Sequence, residues 1–104
     1  MIFITLICNA GLSTSMLAHK MQQSAEMRKL DIDVVAVPIN DFLLEDRPTD
    51  ILLLGPQIDY MFEEMKLEYQ DKAVTIGCIN TLDFGLMNGE KVLDFALDLL
   101  EDWK

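Results

Sequence analysis

The sequence predicts an α/β domain: a single open four-stranded parallel sheet, in the order 2-1-3-4, flanked by helices on both faces. Three observations predict it. Short apolar runs of strand length alternate with longer segments of helical periodicity. The strand runs are apolar at nearly every position, which marks strands covered on both faces. The chain has 104 residues, enough for one compact domain and too few for two, so residues 1–104 are read as one unit.

The elements follow in order. Ile2 to Ile7 is the first strand, closed by Cys8 and Asn9. Ser13 to about Leu30 has helical spacing, with Met16, Leu17, Met21, Ala25 and Met27 toward the core. Ile32 to Val37 is a second strand, stopped by Pro38. Residues 39–49 connect, with a short helical turn around Phe42 and Leu43. Ile51 to Leu54 is a third strand, ended by Gly55-Pro56. Gln57 to about Gln70 is a helix, with Pro56 suited to its first turn. Ala73 to Ile79 is the fourth strand, Asn80 to Asn88 a loop, and Gly89 to Trp103 the last helix, with Val92, Leu93, Ala96, Leu97 and Leu100 on one side.

Right-handed crossovers restrict how parallel strands can be joined, and they favour the order 2-1-3-4. In open sheets of this kind ligands bind beyond the carboxyl ends of the strands, near the switch in strand order. Cys8, Gly55-Pro56-Gln57 and the 80–88 segment all follow strand ends, so the fold gathers them on one edge.

Composition narrows the function. Hydrophobic residues make up 51% of the chain, which excludes a disordered chain. The formal net charge is −10, and no patch of several Lys and Arg occurs, so nucleic acid is not an expected partner. The apolar runs are strand-sized, so no membrane insertion is expected. The N-terminus lacks a basic segment and its apolar stretch stops at Asn9, so a cytoplasmic protein without a signal peptide is expected. One histidine and no Cys-x-x-Cys argue against a metal site, and no cofactor is expected. Two cysteines are too few for a disulfide scaffold. Cys78 follows Val74-Thr75-Ile76-Gly77 and reads as a buried reduced thiol. His19 reads as a solvent-facing helical residue.

Cys8 is set apart by the loop that begins with it: Cys8-Asn9-Ala10-Gly11-Leu12-Ser13-Thr14-Ser15. A strand-loop-helix corner collects unpaired amide donors and the positive end of a helix dipole, which together stabilise an anion. Thiolate is one such anion, and a phosphate carried on sulfur is another. Gly11 allows backbone conformations that turn N–H groups inward. Ser13, Thr14 and Ser15 offer hydroxyls to phosphate oxygens and also suit a helix cap. The expected site is therefore Cys8 as nucleophile, with residues 9–15 holding phosphate. The loop has no Arg or Lys, whereas cysteine phosphatases end a similar loop in an arginine that grips phosphate bidentately. A pocket without a fixed cation suits a labile relay better than a hydrolase. Asp83 is a candidate acid, and Gln57 either caps its own helix or reaches the cysteine loop. Met61 reads as core, and Tyr60 as core or rim.

The chain resembles the IIB component of the lactose/cellobiose/chitobiose family of the phosphoenolpyruvate-dependent sugar phosphotransferase system. The resemblance spans the whole chain. It rests on Ile7-Cys8-Asn9-Ala10-Gly11-Leu12-Ser13-Thr14-Ser15, on Leu52-Leu53-Leu54-Gly55-Pro56-Gln57 with Tyr60-Met61, and on Asp83-Phe84-Gly85-Leu86-Met87-Asn88-Gly89-Glu90-Lys91-Val92-Leu93. It implies a flavodoxin-like fold, similar also to low-molecular-weight phosphatases. It implies that Cys8 takes a phosphoryl group from a histidine of a IIA protein and passes it to a sugar bound by a membrane IIC partner. Gln57, Asp83 and Phe84 would lie at the rim, and a monomer is the expected state. Three positions depart from the family pattern: Asn9 for a common Ala, Phe84 for a common Tyr and Asn88 for a common Asp. A small cysteine phosphatase is the rival enzyme, testable by aryl phosphate turnover. A flavodoxin-like module holding a flavin phosphate is the non-catalytic rival, and it would be yellow.

Overall fold

The computed structural model describes residues 1–9, 12–44 and 47–100, without the side chains of Leu12, Leu43 and Leu44. Its elements are β1 (Ile2–Cys8), α1 (Leu12–Met27), β2 (Ile32–Pro38), α2 (Ile39–Leu44), β3 (Ile51–Leu54), a 3-10 turn (Pro56–Met61), α3 (Phe62–Glu68), β4 (Thr75–Cys78), α4 (Thr81–Gly85) and α5 (Gly89–Asp98). The four strands are parallel in the order β2-β1-β3-β4, as the sequence predicts. β1 is central. It pairs with β2 from Ile2↔Ile32 to Cys8↔Pro38 and with β3 from Ile4↔Ile51 to Ile7↔Leu54.

Strand alternation sorts the apolar side chains into two cores. Ile4, Leu6, Ile51 and Leu53 lie on one face with Leu17, Met21 and Ala25 of α1 and Val92, Leu93, Ala96 and Leu97 of α5. Ile7, Leu52 and Leu54 lie on the other with Phe42, Ile58 and Met65. Thr5 is a fully buried polar side chain of β1. Its hydroxyl shares a 2.6 Å hydrogen bond with Thr49. Beside it the Asp50 carboxylate accepts from the Phe3 N–H at 2.8 Å. These contacts fasten the amino end of the central strand, away from Cys8.

β2 is an edge strand, and its outer side carries unpaired backbone groups that invite another strand. Gln22 of α1 occupies part of that edge. Its Oε1 accepts from the Val34 N–H at 2.7 Å, and its Nε2 donates to the Ile32 carbonyl at 2.9 Å. One carboxamide thus does what a neighbouring peptide group would do.

Several boundaries differ from expectation. α1 ends at Met27 instead of Leu30, because Lys29 turns into the left-handed region at φ 58°. The Leu30 N–H then reaches back to the Ala25 carbonyl and the Lys29 N–H to Glu26, a helix stop that usually employs glycine. Met16 and Met27 are exposed, not core: the buried stripe runs through Thr14, Leu17, Ala18, Met21 and Ala25, and at 100° per residue Met16 falls outside it. The predicted 57–70 helix is split. The Ile58 N–H bonds to the Gly55 carbonyl, a 3-10 contact, and Ile58 itself leaves helical dihedrals at φ −123°, ψ 24°. β4 is shorter than predicted, covering Thr75–Cys78. The predicted 80–88 loop contains α4, and α5 is assigned to Asp98. The predicted end of that helix, up to Trp103, lies partly outside the described residues.

Candidate functional site

Cys8 is the last residue of the central strand and is 5% exposed. Asn9 comes next, exposed. Ala10, Gly11 and the Leu12 side chain, all expected at the phosphate loop, lie outside the described residues. α1 begins at Leu12, so Ser13, Thr14 and Ser15 sit inside its first turn and not ahead of it as caps. The N–H groups of a helix's first turn lack intrahelical acceptors, and here they stand a few residues from the sulfur. The three hydroxyl residues separate by periodicity. Ser13 and Ser15 are exposed, whereas Thr14 falls on the buried stripe of α1 and is 2% exposed. Among the described residues the Thr14 hydroxyl has no hydrogen-bond partner.

The turn after β3 comes against the cysteine. The Gly55 N–H donates to the Ile7 carbonyl at 2.9 Å. A methyl group placed on Gly55 would lie 3.5 Å from Cys8 Cβ and 2.9 Å from Gln57 Oε1. The Gln57 side chain therefore folds back over Gly55, so that the space left by the missing methyl borders both Gln57 Oε1 and Cys8 Cβ, and it makes no hydrogen bond to any described residue. Of the two roles open to Gln57 in the sequence, capping of its own helix is not seen: the turn from Pro56 to Met61 has no side-chain cap hydrogen bond.

The 80–88 segment contributes differently from expectation. Asn80 Oδ1 accepts from the Asp83 N–H at 2.8 Å, and Asn80 Nδ2 donates to Asp83 Oδ2 at 2.8 Å. This reciprocal pair closes the first turn of α4, so the Asp83 carboxylate is already engaged by the cap. Phe84 is not a rim residue: it is 8% exposed and packs into the core shared with α1 and α5, because α4 turns its apolar ring inward. Asn88 caps α5, its Oδ1 accepting from the Lys91 N–H at 3.1 Å. The exposed side chains of the segments that follow the strand ends include the polar Asn9, Ser13, Ser15, Gln57 and Asn80 and four large hydrophobic ones, Met16, Tyr60, Leu82 and Leu86, each more than half exposed. Sequence reasoning did not single out Leu82, and no pattern in a five-residue helix would have done so.

Cys78 ends β4, is partly buried and is not bonded to Cys8. Burial first, and the nearby Asp59 carboxylate second, push its thiol pKa up, which disfavours the nucleophilic form. No group of three or more His, Cys, Asp or Glu among the described residues is arranged to hold a metal ion. No helix among them is long and apolar enough to cross a membrane.

The fold and site define an α/β domain with a buried cysteine, Cys8, at the carboxyl end of an inner strand. The sequence pattern of the phosphotransferase system's lactose/cellobiose-specific IIB subunits matches residues 3–95. The galactose-specific EIIB component of Lactococcus lactis subsp. cremoris (strain MG1363) is 37% identical over 103 residues, covering 93% of this chain and 94% of that protein. The oligo-beta-mannoside-specific EIIB component of Bacillus subtilis (strain 168) is 29% identical over 97 residues, with the same coverage. Among solved structures, the cellobiose-specific IIB component of Borrelia burgdorferi superimposes with a TM-score of 0.75 at 32% identity, covering 97% of this chain and 93% of that one. The lactose-specific IIB domain of Streptococcus pneumoniae reaches a TM-score of 0.85 at 16% identity, covering 95% and 97%, a likeness of fold. The chain belongs to the lactose/cellobiose-specific IIB subunit family of the sugar phosphotransferase system.

Proposed function

We propose that this chain is a cytoplasmic phosphocarrier, in which Cys8 accepts a phosphoryl group from a phosphohistidine of a IIA protein and delivers it to a sugar of the cellobiose, chitobiose or lactose type held by a membrane IIC partner. The observation that carries the reading is Cys8 at the end of the central strand, followed within a few residues by the first turn of α1, whose amides lack intrahelical acceptors. In the first step the Cys8 sulfur attacks phosphorus, the S–P bond forms and the histidine N–P bond breaks. The thiol proton ends on the departing imidazole. In the second step a sugar hydroxyl oxygen attacks phosphorus, the S–P bond breaks and the hydroxyl proton returns to sulfur.

Phosphoryl transfer is mostly positioning and electrostatic stabilisation of the moving group. First-turn amides of α1 supply donors for the equatorial oxygens, and Thr14 supplies a buried hydroxyl with no competing partner among the described residues. The absence of Arg and Lys from residues 8–15 suits a carrier that must release phosphate onward. The docking face surrounds Cys8, with Met16, Tyr60, Leu82 and Leu86 as its exposed apolar side chains. A small, weak interface is expected for a carrier that changes partners.

The test uses intact mass after incubation with a phosphorylated IIA protein. Wild type and Cys78→Ser gain one phosphoryl group that iodine removes, and Cys8→Ser does not gain it. Iodine-labile phosphate retained by Cys8→Ser would refute the assignment.

A further inference from the structure

Gly55 has no conformational reason to be glycine. Its φ and ψ are −65° and 155°, a region open to every residue. Against the rest of the protein a methyl there would make only ordinary contacts, 3.5 Å to Cys8 Cβ and 3.5 Å to the Ile7 carbonyl oxygen. The one contact too close is 2.9 Å, to Gln57 Oε1, the free end of a flexible side chain. What glycine provides at 55 is a space that the Gln57 carboxamide enters from one side and Cys8 Cβ borders at 3.5 Å from the built methyl. That carboxamide has no other partner among the described residues. Its N and O ends interchange by rotation of the terminal torsion, so it can present N–H donors to an anion on the sulfur.

We propose that Gln57 is a phosphoryl-binding residue, seated beside Cys8 by the missing side chain of Gly55 and donating an Nε2–H to an oxygen of the group that Cys8 carries. This rests on the phosphocarrier reading and extends it with a donor from outside the cysteine loop. Gln57 neither gives nor takes a proton. The bonds made and broken are those of the transfer itself, and the carboxamide holds an oxygen that stays on phosphorus throughout. A side chain that swings is also suited to a carrier, since it can follow the phosphoryl group as it inverts between donor and acceptor.

The experiment compares wild type, Gln57→Ala, Gly55→Ala and the double variant, with a phosphorylated IIA protein as donor. Wild-type mass gain at Cys8 reports on the phosphocarrier reading by itself. The proposal is read from two further quantities. The first is the transfer rate at saturating IIA: about tenfold slower in each single variant, the scale of one lost hydrogen bond to a charged group, with the concentration of IIA at half-saturation unchanged. The double variant is no slower than either single one, because both changes remove the same contact. The second is the Gln57 side-chain amide resonance, which moves on phosphorylation in wild type and stays in Gly55→Ala. Gly55→Ala meets only a movable side-chain end, so it folds; its amide spectrum away from residues 55–58 checks that. Wild-type transfer rates in Gln57→Ala, or losses that multiply in the double variant, would overturn the proposal. So would a Gln57 resonance unmoved in a phosphorylated wild-type protein.

Discussion

Exchanging glycine for alanine has opposite consequences at two positions on either side of the α4–α5 junction. Gly89 opens α5 where that helix crosses α1. A methyl group there would stand 2.7 Å from the Lys20 carbonyl carbon, 2.7 Å from Lys20 Cβ and 2.8 Å from the Met21 nitrogen. Ordinary carbon contacts are about 3.5–4.0 Å, so close to 1 Å of overlap must be relieved. Two of the three atoms are backbone and cannot rotate away, so α5 must lift from α1 as a body, loosening Val92, Leu93 and Ala96, which are buried against α1. Overpacking of a tight core costs about 1–3 kcal/mol, and backbone overlap places Gly89→Ala in the upper part of that range, about 2–3 kcal/mol. For a domain of this size each kcal/mol is worth about 4–8 °C, so the melting temperature should fall by about 10–20 °C. At Gly85 nothing lies within 4 Å of the built methyl, and φ is outside the left-handed region. Gly85→Ala should raise stability by about 0.4–1 kcal/mol by restricting the unfolded chain. Urea and thermal unfolding of both variants decide the matter. Equal destabilisation at 85 and 89, or a Gly89→Ala protein within about 1 kcal/mol of wild type, the lower end of the overpacking range, would refute the argument that glycine at 89 serves helix approach.

Two further expectations concern groups outside the site. In Cys8→Ser the remaining Cys78 thiol should be alkylated with a pH midpoint above the ordinary cysteine value, since burial and Asp59 disfavour its thiolate. Its contribution to stability is whole below the unfolded thiol's pKa and is lost as pH rises through the folded one, so Cys78→Ala should flatten the alkaline loss, and an ordinary midpoint would exclude this. Gln22→Leu should cost about 1 kcal/mol by removing the two hydrogen bonds to β2 and leave an open edge, with more self-association in sedimentation velocity than wild type shows; a variant of unchanged stability and unchanged sedimentation would exclude an edge-guarding role.

The strands were legible because each is a short, mostly apolar run with a punctuating residue at or just past its end: Asn9 after Cys8, Pro38 as the last residue of β2, Gly55-Pro56 after Leu54. Crossover handedness then limited the strand orders, and the favoured order, 2-1-3-4, is the one observed; parallel strands put Cys8, Gly55-Pro56-Gln57 and the 80–88 segment after strand ends on one edge. What stayed hidden depends on tertiary contact or on unusual occupants of familiar positions. Lys29 fills a helix-stop position that glycine normally marks. α4 is announced only by Asn80 and Asp83, a cap with one short turn behind it. Phe84 was placed at the rim by resemblance alone, yet α4 rolls it into the core. Gln22 carries no local signal at all, and Gln57 carries only its place after Gly55-Pro56. One guards β2 from another element, and the other is placed by a glycine two residues earlier.

The central strand is held on both edges by its neighbours and on both faces by separate cores, with a polar clasp of Thr49 and Asp50 at its far end. Anchoring of this kind divides the molecule into two tiers that change under different pressures. Beneath the sulfur, almost any substitution is felt in the packing. On the outside of the molecule, Met16, Tyr60, Leu82 and Leu86 are exposed and support little. Descendants of this chain can therefore exchange the outer tier for another partner's contours without renegotiating the fold. The thiol keeps its height and angle whatever the outer tier becomes.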